Sequence, residues 1–190
     1  EAGRTQEEIQ AGEAWIIDQQ FNGGNKDNYE VIKEIEAYKC QLVEITGGEP
    51  LLQDDVYPLM TYLSTHGWTV LLETGGHHST ERVPSEVITI LDVKCPGSGE
   101  SDRNDLTNLN RLRQGDELKF VIKDREDYDF ACDVMQRHAV AARATTVHFS
   151  PVHGVLDPKQ LSEWILADGL QVRLQLQAHK YIWGPTVRSV

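Results

Sequence analysis

The chain has 190 residues, with 30 acidic and 18 basic side chains and a net charge of -12. This length is enough for one domain with a substantial core. So acidic a surface repels nucleic-acid phosphates and anionic lipid, and no apolar stretch approaches the roughly 20 residues that span a bilayer. We therefore predict a single domain over residues 1–190 that has neither nucleic acid nor a membrane as its partner.

Helical spacing of apolar residues alternates with short apolar runs along the chain. The helical patterns cover Thr5–Asp18, Tyr29–Tyr38, Asp54–Ser64, Asp124–Ala142 and a segment that Asp157 caps, with Pro158 in its first turn. The apolar runs are typical of strands buried on both faces of a parallel sheet. They are Leu42–Ile45, Thr69–Leu72, Thr89–Val93, Leu118–Ile122, Thr146–Phe149 and Val172–Leu176.

This alternation of strands and helices predicts an α/β fold with right-handed crossovers and a parallel sheet. Periodicity leaves open whether the sheet is open or curls toward a barrel. Fewer than eight strand–helix units argue against a complete eightfold barrel.

Glycine and polar residues follow the predicted strands, at the edge where parallel sheets bind ligands. After the first strand comes Thr46–Pro50, whose two glycines allow a sharp turn and a close approach to the main chain. This corner could be a plain strand-to-helix turn or part of a site. Later strand ends carry Glu73–Gly76, Lys94–Gly99 and Ser150–Gly154. Each alone is typical of a loop, but four at one edge predict a ligand cleft.

Cysteine and histidine usage bears on metal chemistry and on the cellular compartment. Cys40, Cys95 and Cys132 have neither disulfide-framework nor metal-ligand spacing, and their odd number favours a reducing, cytosolic setting. We expect Cys40 and Cys132 to be small buried apolar side chains. His77 and His78 leave open a zinc or other divalent-metal hydrolase, although no HExxH spacing is present.

The Thr46–Pro50 run, TGGEP, resembles the glycine-rich motif of radical S-adenosylmethionine (SAM) enzymes. Three further segments extend the likeness: DVKCPGSGES at Asp92–Ser101, GDELKFVI at Gly115–Ile122 and LQLQAHKYIW at Leu174–Trp183. With them the sequence resembles, over nearly all of its length, the 7-carboxy-7-deazaguanine synthases. The resemblance implies a partial parallel (β/α) barrel of the radical SAM type and a cytoplasmic homodimer.

The resemblance also implies an activity. Such enzymes convert 6-carboxy-5,6,7,8-tetrahydropterin to 7-carboxy-7-deazaguanine and ammonia, in the queuosine pathway of tRNA modification. A 4Fe-4S cluster reduces bound S-adenosylmethionine to a radical that takes a hydrogen atom from the pterin, and Mg2+ assists. The resemblance leaves the electron donor open, with a flavodoxin-like protein as one candidate.

The family's site residues map onto this sequence as two implied groups. The group beside S-adenosylmethionine comprises Gly48, Lys94, Cys95, Pro96, Ser150, Pro151, Val152 and His153. The group beside the pterin comprises Thr46, His179 and the C-terminal Val190.

One departure from the family stands out. The family holds its cluster with three cysteines in a loop after the first strand, and this sequence has no such triad. Since Glu1 resembles the point after that loop and no initiator methionine is present, we expect the first strand and the cluster and magnesium ligands to precede Glu1. The chain alone should then be inactive, and a cluster-free S-adenosylmethionine-binding remnant is a further alternative.

Overall fold

A computed structural model describes residues 28–140, 145–182 and 184. The chain divides into two compact units. The first extends to Thr74 and adds His78–Thr89, and the second comprises Gly75–His77 and the chain from Ile90 onward. The predicted helix Thr5–Asp18 lies outside the described residues, and the single domain over residues 1–190 stays a prediction.

The first unit is a pair of parallel strands covered by helices. Its elements are α1 (Asn28–Ala37), β1 (Leu42–Ile45), a 3-10 helix (Pro50–Leu52), α2 (Val56–Thr65) and β2 (Thr69–Thr74). Leu42 of β1 lies opposite Thr69 of β2 in parallel register. Apolar side chains from α1, α2 and β2 form the core of the unit, namely Ile32, Leu59, Met60, Leu63 and Leu72.

The sequence predicted strands buried on both faces, and for β1 this is wrong. Leu42 is 55% exposed, and Val43 and Ile45 are only half-buried. The reason is that β1 pairs on one side only within the described part of the chain, with β2. A strand at an edge has fewer neighbours to cover its side chains.

The second unit contains four parallel strands. Its elements are β3 (Ile88–Val93, in this unit from Ile90), three 3-10 helices (Pro96–Ser98, Ser101–Arg103 and Leu106–Arg111), β4 (Glu117–Ile122), α3 (Arg125–Arg137), β5 (Thr146–Pro151), α4 (Pro158–Ala167), β6 (Arg173–Leu174) and α5 (Ala178–Ile182). Strand β4 pairs with β3 and β5, and β5 pairs with β6, always in parallel. The core includes edge-to-face contacts of Phe149 with Phe120 and Tyr128, each with 5.7 Å between ring centroids.

Three elements of this unit test the predicted bounds. Helix α4 begins as predicted, since the Asp157 side chain accepts the Lys159 N–H at 2.9 Å and Pro158 opens the helix. Helix α3 ends at Arg137 instead of Ala142, because Ala139 takes a left-handed φ of 48° that no helix continues. Strand β6 has two residues, both exposed, where the sequence predicted five.

Among the residues that the structure describes, no helix is both long enough and apolar enough to cross a membrane.

Candidate functional site

The corner after β1 exposes its main chain. Gly47 and Gly48 have φ angles of 92° and 57°, in the left-handed region that favours glycine. A Cβ added at either glycine would meet no atom within 4 Å. Both glycines are therefore explained by the conformation of the backbone. The space beside them is open, so a ligand can occupy it.

Glu49 stabilises this corner. Its side chain is buried, and its Oε1 accepts the Leu51 N–H at 3.1 Å and the Thr74 hydroxyl at 2.8 Å. The carboxylate therefore caps the 3-10 helix Pro50–Leu52 and joins the corner to the end of β2. The sequence left open whether the corner is a turn or a site, and the structure gives Glu49 a part in the turn.

Thr46 and Glu73 form a polar pair at the ends of β1 and β2. The Thr46 hydroxyl donates to Oε2 of Glu73 at 3.2 Å, and the Thr46 side chain is exposed. Sequence analysis named Thr46 but missed this pairing, because the two residues are 27 positions apart. The first unit thus places Thr46 beside the glycine corner at the carboxyl edge of its strands.

In the second unit, the end of β3 carries a half-buried ion pair. Lys94 Nζ lies 2.6 Å from Oδ2 of Asp92, and the side chains are 34% and 10% exposed, respectively. The other oxygen of Asp92, Oδ1, is buried and has no hydrogen-bond partner in the described structure. An unsatisfied carboxylate oxygen is costly to bury, so a hydroxyl or amine of a ligand would find a ready acceptor here.

Two side chains that sequence analysis missed hold the segment after β3. Asn104 Oδ1 accepts the Lys94 N–H at 3.0 Å, and its Nδ2 donates to the Lys94 carbonyl at 2.8 Å. Asp127, 1% exposed, accepts the Gly97 N–H at 2.7 Å and the Lys123 N–H at 2.9 Å. The only sequence signal was a glycine at position 97, where a Cβ would lie 2.6 Å from Oδ2 of Asp127.

Cys95, one of the predicted cofactor contacts, has a buried side chain that is 1% exposed. Burial raises the pKa of its thiol, the carboxylates of Asp127 and Asp92 raise it further, and the Lys94 ammonium opposes them. The thiol therefore stays neutral and faces the core. A contact of Cys95 with a cofactor stays a prediction. Because the side chain is buried, such a contact would have to be made by the main chain of Cys95.

The end of β5 contributes the last predicted group. Ser150 and Pro151 are buried, Val152 and His153 are half-buried, and the Val152 N–H donates to the Ile122 carbonyl at 2.8 Å. The His153 ring meets the Tyr181 ring edge-on, with 5.1 Å between centroids. The small cavity beside them, about 20 Å³, has room for roughly one water and not for a substrate.

The strand-end residues thus fall into two sets. Thr46 and Gly48 lie in the first unit, whereas Lys94–Pro96 and Ser150–His153 lie at the carboxyl ends of β3 and β5 in the second, with β4 between these strands. A single cleft built from both sets stays a prediction. His179 lies in α5, and Val190 is outside the described residues.

The cysteines do not form a metal centre in the part of the chain that the structure describes. Cys40 is exposed, Cys95 is buried and Cys132 is half-buried in α3. The expectation of a buried Cys40 is wrong, because the residue lies in the turn between α1 and β1, where Lys39 has a φ of 52°. No group of three His, Cys, Asp or Glu side chains in the described ranges could hold a metal ion.

No protein-family model matches the chain. Solved structures of SuiB from Streptococcus suis share its fold. The S-adenosylmethionine-bound form has a TM-score of 0.55 at 10% identity over 86% of this chain and 45% of SuiB. A second SuiB structure has a TM-score of 0.58 at 11% identity over 89% and 49% of the two chains. These likenesses define the class of fold, a parallel α/β fold, as the sequence predicted.

Curated relatives narrow this class to one family. The 7-carboxy-7-deazaguanine synthase of Koribacter versatilis is 42% identical over 90% of this chain and 82% of its own length. Those of Chlorobaculum tepidum and Leptospira interrogans are 40% and 36% identical, over 74% and 68% of their lengths. This chain belongs to the 7-carboxy-7-deazaguanine synthase family. The prediction of a radical SAM lyase is thereby confirmed.

Proposed function

We propose that the protein converts 6-carboxy-5,6,7,8-tetrahydropterin to 7-carboxy-7-deazaguanine with release of ammonia, as a step of queuosine biosynthesis. The observation that carries this proposal is the 42% identity to a synthase of that name, over 82% of the relative's length. Similarity of this extent includes the glycine corner, the β3 end and the β5 end, which together make up most of the predicted site.

S-adenosylmethionine is the proposed cofactor, and the residues present fit it. The glycine corner leaves open space beside an exposed main chain, as the methionine end of the molecule requires. The buried, unsatisfied Oδ1 of Asp92 suits one of its hydroxyl or ammonium donors. When bound, S-adenosylmethionine supplies the radical chemistry that removes a hydrogen atom from the substrate.

In this proposal the chain's own side chains orient the cofactor. Gly48 contacts its amino-acid end through the main chain. Lys94, with Cys95 and Pro96, flanks the adenosine, and Ser150–His153 cover it.

The described residues do not fit a 4Fe-4S cluster. The three cysteines have different environments, and the structure shows no three-ligand group within its described ranges. In this proposal the ligands of the cluster and of Mg2+ lie outside the described residues.

The substrate side of the proposal uses Thr46, His179 and Val190. The Thr46–Glu73 pair presents hydroxyl and carboxylate oxygens, which suit the N–H groups of a pterin ring. The proposal also includes a homodimer in the cytoplasm and a flavodoxin-like electron donor. It is favoured over a zinc hydrolase because the chain belongs to the synthase family.

An anaerobic assay of the protein as encoded by its full gene, reconstituted with iron and sulfide, tests this function. Incubation with the pterin, S-adenosylmethionine, Mg2+ and a reductant should yield 7-carboxy-7-deazaguanine and one ammonia per pterin, measured by mass spectrometry and an ammonia assay. Omission of S-adenosylmethionine is the control and should abolish product. A reconstituted protein that leaves the pterin unchanged would contradict the proposal.

A further inference from the structure

The main chain of Lys94 is held by a single side chain, that of Asn104. The amide of Asn104 accepts from the Lys94 N–H at 3.0 Å and donates to the Lys94 carbonyl at 2.8 Å. Both the oxygen and the nitrogen of the Asn104 side-chain amide thus form hydrogen bonds with Lys94. With the ion pair to Asp92, Lys94 is held at its N–H, its carbonyl and its ammonium.

Asp127 holds the other end of the same segment. One carboxylate oxygen accepts the Gly97 N–H at 2.7 Å and the other accepts the Lys123 N–H at 2.9 Å. Since Asp127 lies in the first turn of α3 and Lys123 follows β4, the segment Lys94–Gly97 is joined to regular structure. Hydrogen bonds from main-chain N–H groups to a buried carboxylate are stronger than neutral ones.

The segment Lys94–Gly97 needs such anchors because it extends past the end of β3 at Val93. A 3-10 helix over Pro96–Ser98 orders part of the segment through the main chain, with the Ser98 N–H donating to the Cys95 carbonyl at 3.0 Å. The side-chain anchors add to this order, and fixing a residue costs backbone entropy. A segment ordered before its ligand arrives does not lose this entropy on binding. The ammonium of Lys94 nevertheless stays reachable, since its side chain is 34% exposed.

We propose that Asn104 and Asp127 are positioning residues that preorder the segment Lys94–Gly97 for S-adenosylmethionine. The inference rests on the proposed function, in which Lys94, Cys95 and Pro96 flank the adenosine of the cofactor. Neither residue touches the cofactor in this arrangement. Each acts through the main chain of the segment, Asn104 at Lys94 and Asp127 at Gly97.

The test compares Asn104→Ala, Asn104→Asp and Asp127→Asn in the reconstituted enzyme. Asn104→Ala removes both hydrogen bonds. Asn104→Asp keeps an acceptor for the Lys94 N–H and places a second oxygen against the Lys94 carbonyl, and Asp127→Asn keeps one of two acceptors. Arg103→Ala is the matched control, because Arg103 adjoins Asn104 and its ion pair with Glu100 is exposed.

Three quantities are measured for each variant: the dissociation constant for S-adenosylmethionine by calorimetry, the melting temperature, and amide hydrogen exchange over residues 94–97, where every residue except Pro96 has an N–H. We expect Asn104→Ala and Asn104→Asp to weaken binding about tenfold, Asp127→Asn to weaken it less, and Arg103→Ala to leave it unchanged. In the three site variants, amide hydrogen exchange should become faster at residues 94–97. The increase there should exceed any increase elsewhere in the second unit.

Two results would overturn the inference. One is binding and exchange at wild-type level in the Asn104 and Asp127 variants. The other is a loss of affinity that only follows a lower melting temperature, with exchange raised throughout the second unit, since that is a purely structural effect. If the wild-type enzyme binds no S-adenosylmethionine, the proposed function fails separately. Exchange confined to residues 94–97 in the variants would still support the positioning role, and unchanged exchange would refute it.

Discussion

Gly48 and Gly97 both follow strands at the carboxyl edge of their units, yet they are glycines for different reasons. Gly48 has a φ of 57° and nothing within 4 Å of a would-be Cβ. Gly97 lies outside the left-handed region, and its would-be Cβ is 2.6 Å from a buried carboxylate oxygen. The backbone conformation requires a glycine at position 48, and the lack of space for a Cβ requires one at position 97.

This difference shows how each segment is kept in place. The corner at Gly48 follows a path that the backbone itself defines, with Glu49 capping the short helix that comes next. The segment at Gly97 is held from outside by Asp127 and Asn104. Substitutions at the two glycines should therefore differ in their effects on stability and on binding.

The largest effect is expected from Gly97→Ala. The new Cβ would displace the Asp127 carboxylate, which cannot move freely because it is 1% exposed and accepts two main-chain N–H groups. We expect a loss of about 3 kcal/mol in the free energy of unfolding, from overpacking and disturbed buried hydrogen bonds. Urea unfolding measures it.

The double variant Gly97→Ala/Asp127→Ala is the control for that clash. If crowding by the carboxylate is the cause, the double variant should be clearly more stable than the sum of the two single losses predicts. Strict additivity would mean that the alanine disturbs something other than Asp127.

A smaller loss is expected from Glu49→Gln. The carboxylate accepts from Leu51 and Thr74, and the neutral amide accepts these hydrogen bonds less strongly, so we expect a loss of about 1–2 kcal/mol in the free energy of unfolding. Thr74→Val, which removes one of the two donors, should lose about 1 kcal/mol. If Glu49→Gln instead leaves thermal stability intact and abolishes S-adenosylmethionine binding, Glu49 is a ligand-binding residue and not a cap.

A loss of stability no larger than that of Glu49→Gln is expected from Gly48→Ala, with Gly169→Ala as its matched control. The two glycines have φ angles of 57° and 62° and equally open surroundings, and an alanine in this region costs about 1–2 kcal/mol. Both variants should lose this amount in thermal denaturation. Only Gly48→Ala should also weaken S-adenosylmethionine binding in calorimetry, and equal affinities of the two variants would contradict the placement of the cofactor at this corner.

The sequence correctly predicted those parts of the fold that are determined by residues close to one another along the chain. Strand β1 has the predicted bounds, Leu42–Ile45, and Asp157 caps α4 as its sequence pattern indicates. Helix α3 ends early because a left-handed Ala139 leaves no signal that periodicity can detect. The exposure of β1 was missed for another reason, because an apolar run does not say how many strands flank it.

The positions of the candidate site residues after the strand ends could be predicted from the sequence. The side chains that hold those segments in place could not. The order of elements indicated the segments after the strand ends, and the family resemblance then assigned roles to Thr46, Lys94 and His153 within them. Asp127 contacts a residue 30 positions away, and Asn104 contacts one 10 positions away. Such contacts depend on how loops and helices pack in the tertiary structure, and a single sequence carries no local pattern for them.

The unequal environments of the three cysteines have a practical consequence. Burial raises the pKa of the Cys95 and Cys132 thiols, whereas Cys40 is exposed on the first unit. Thiolates attack alkylating reagents, so among these three cysteines a maleimide dye added at neutral pH will react first at Cys40. The protein thus carries a natural attachment point for a fluorescent or paramagnetic reporter, and no engineered cysteine is needed to watch the first unit in solution.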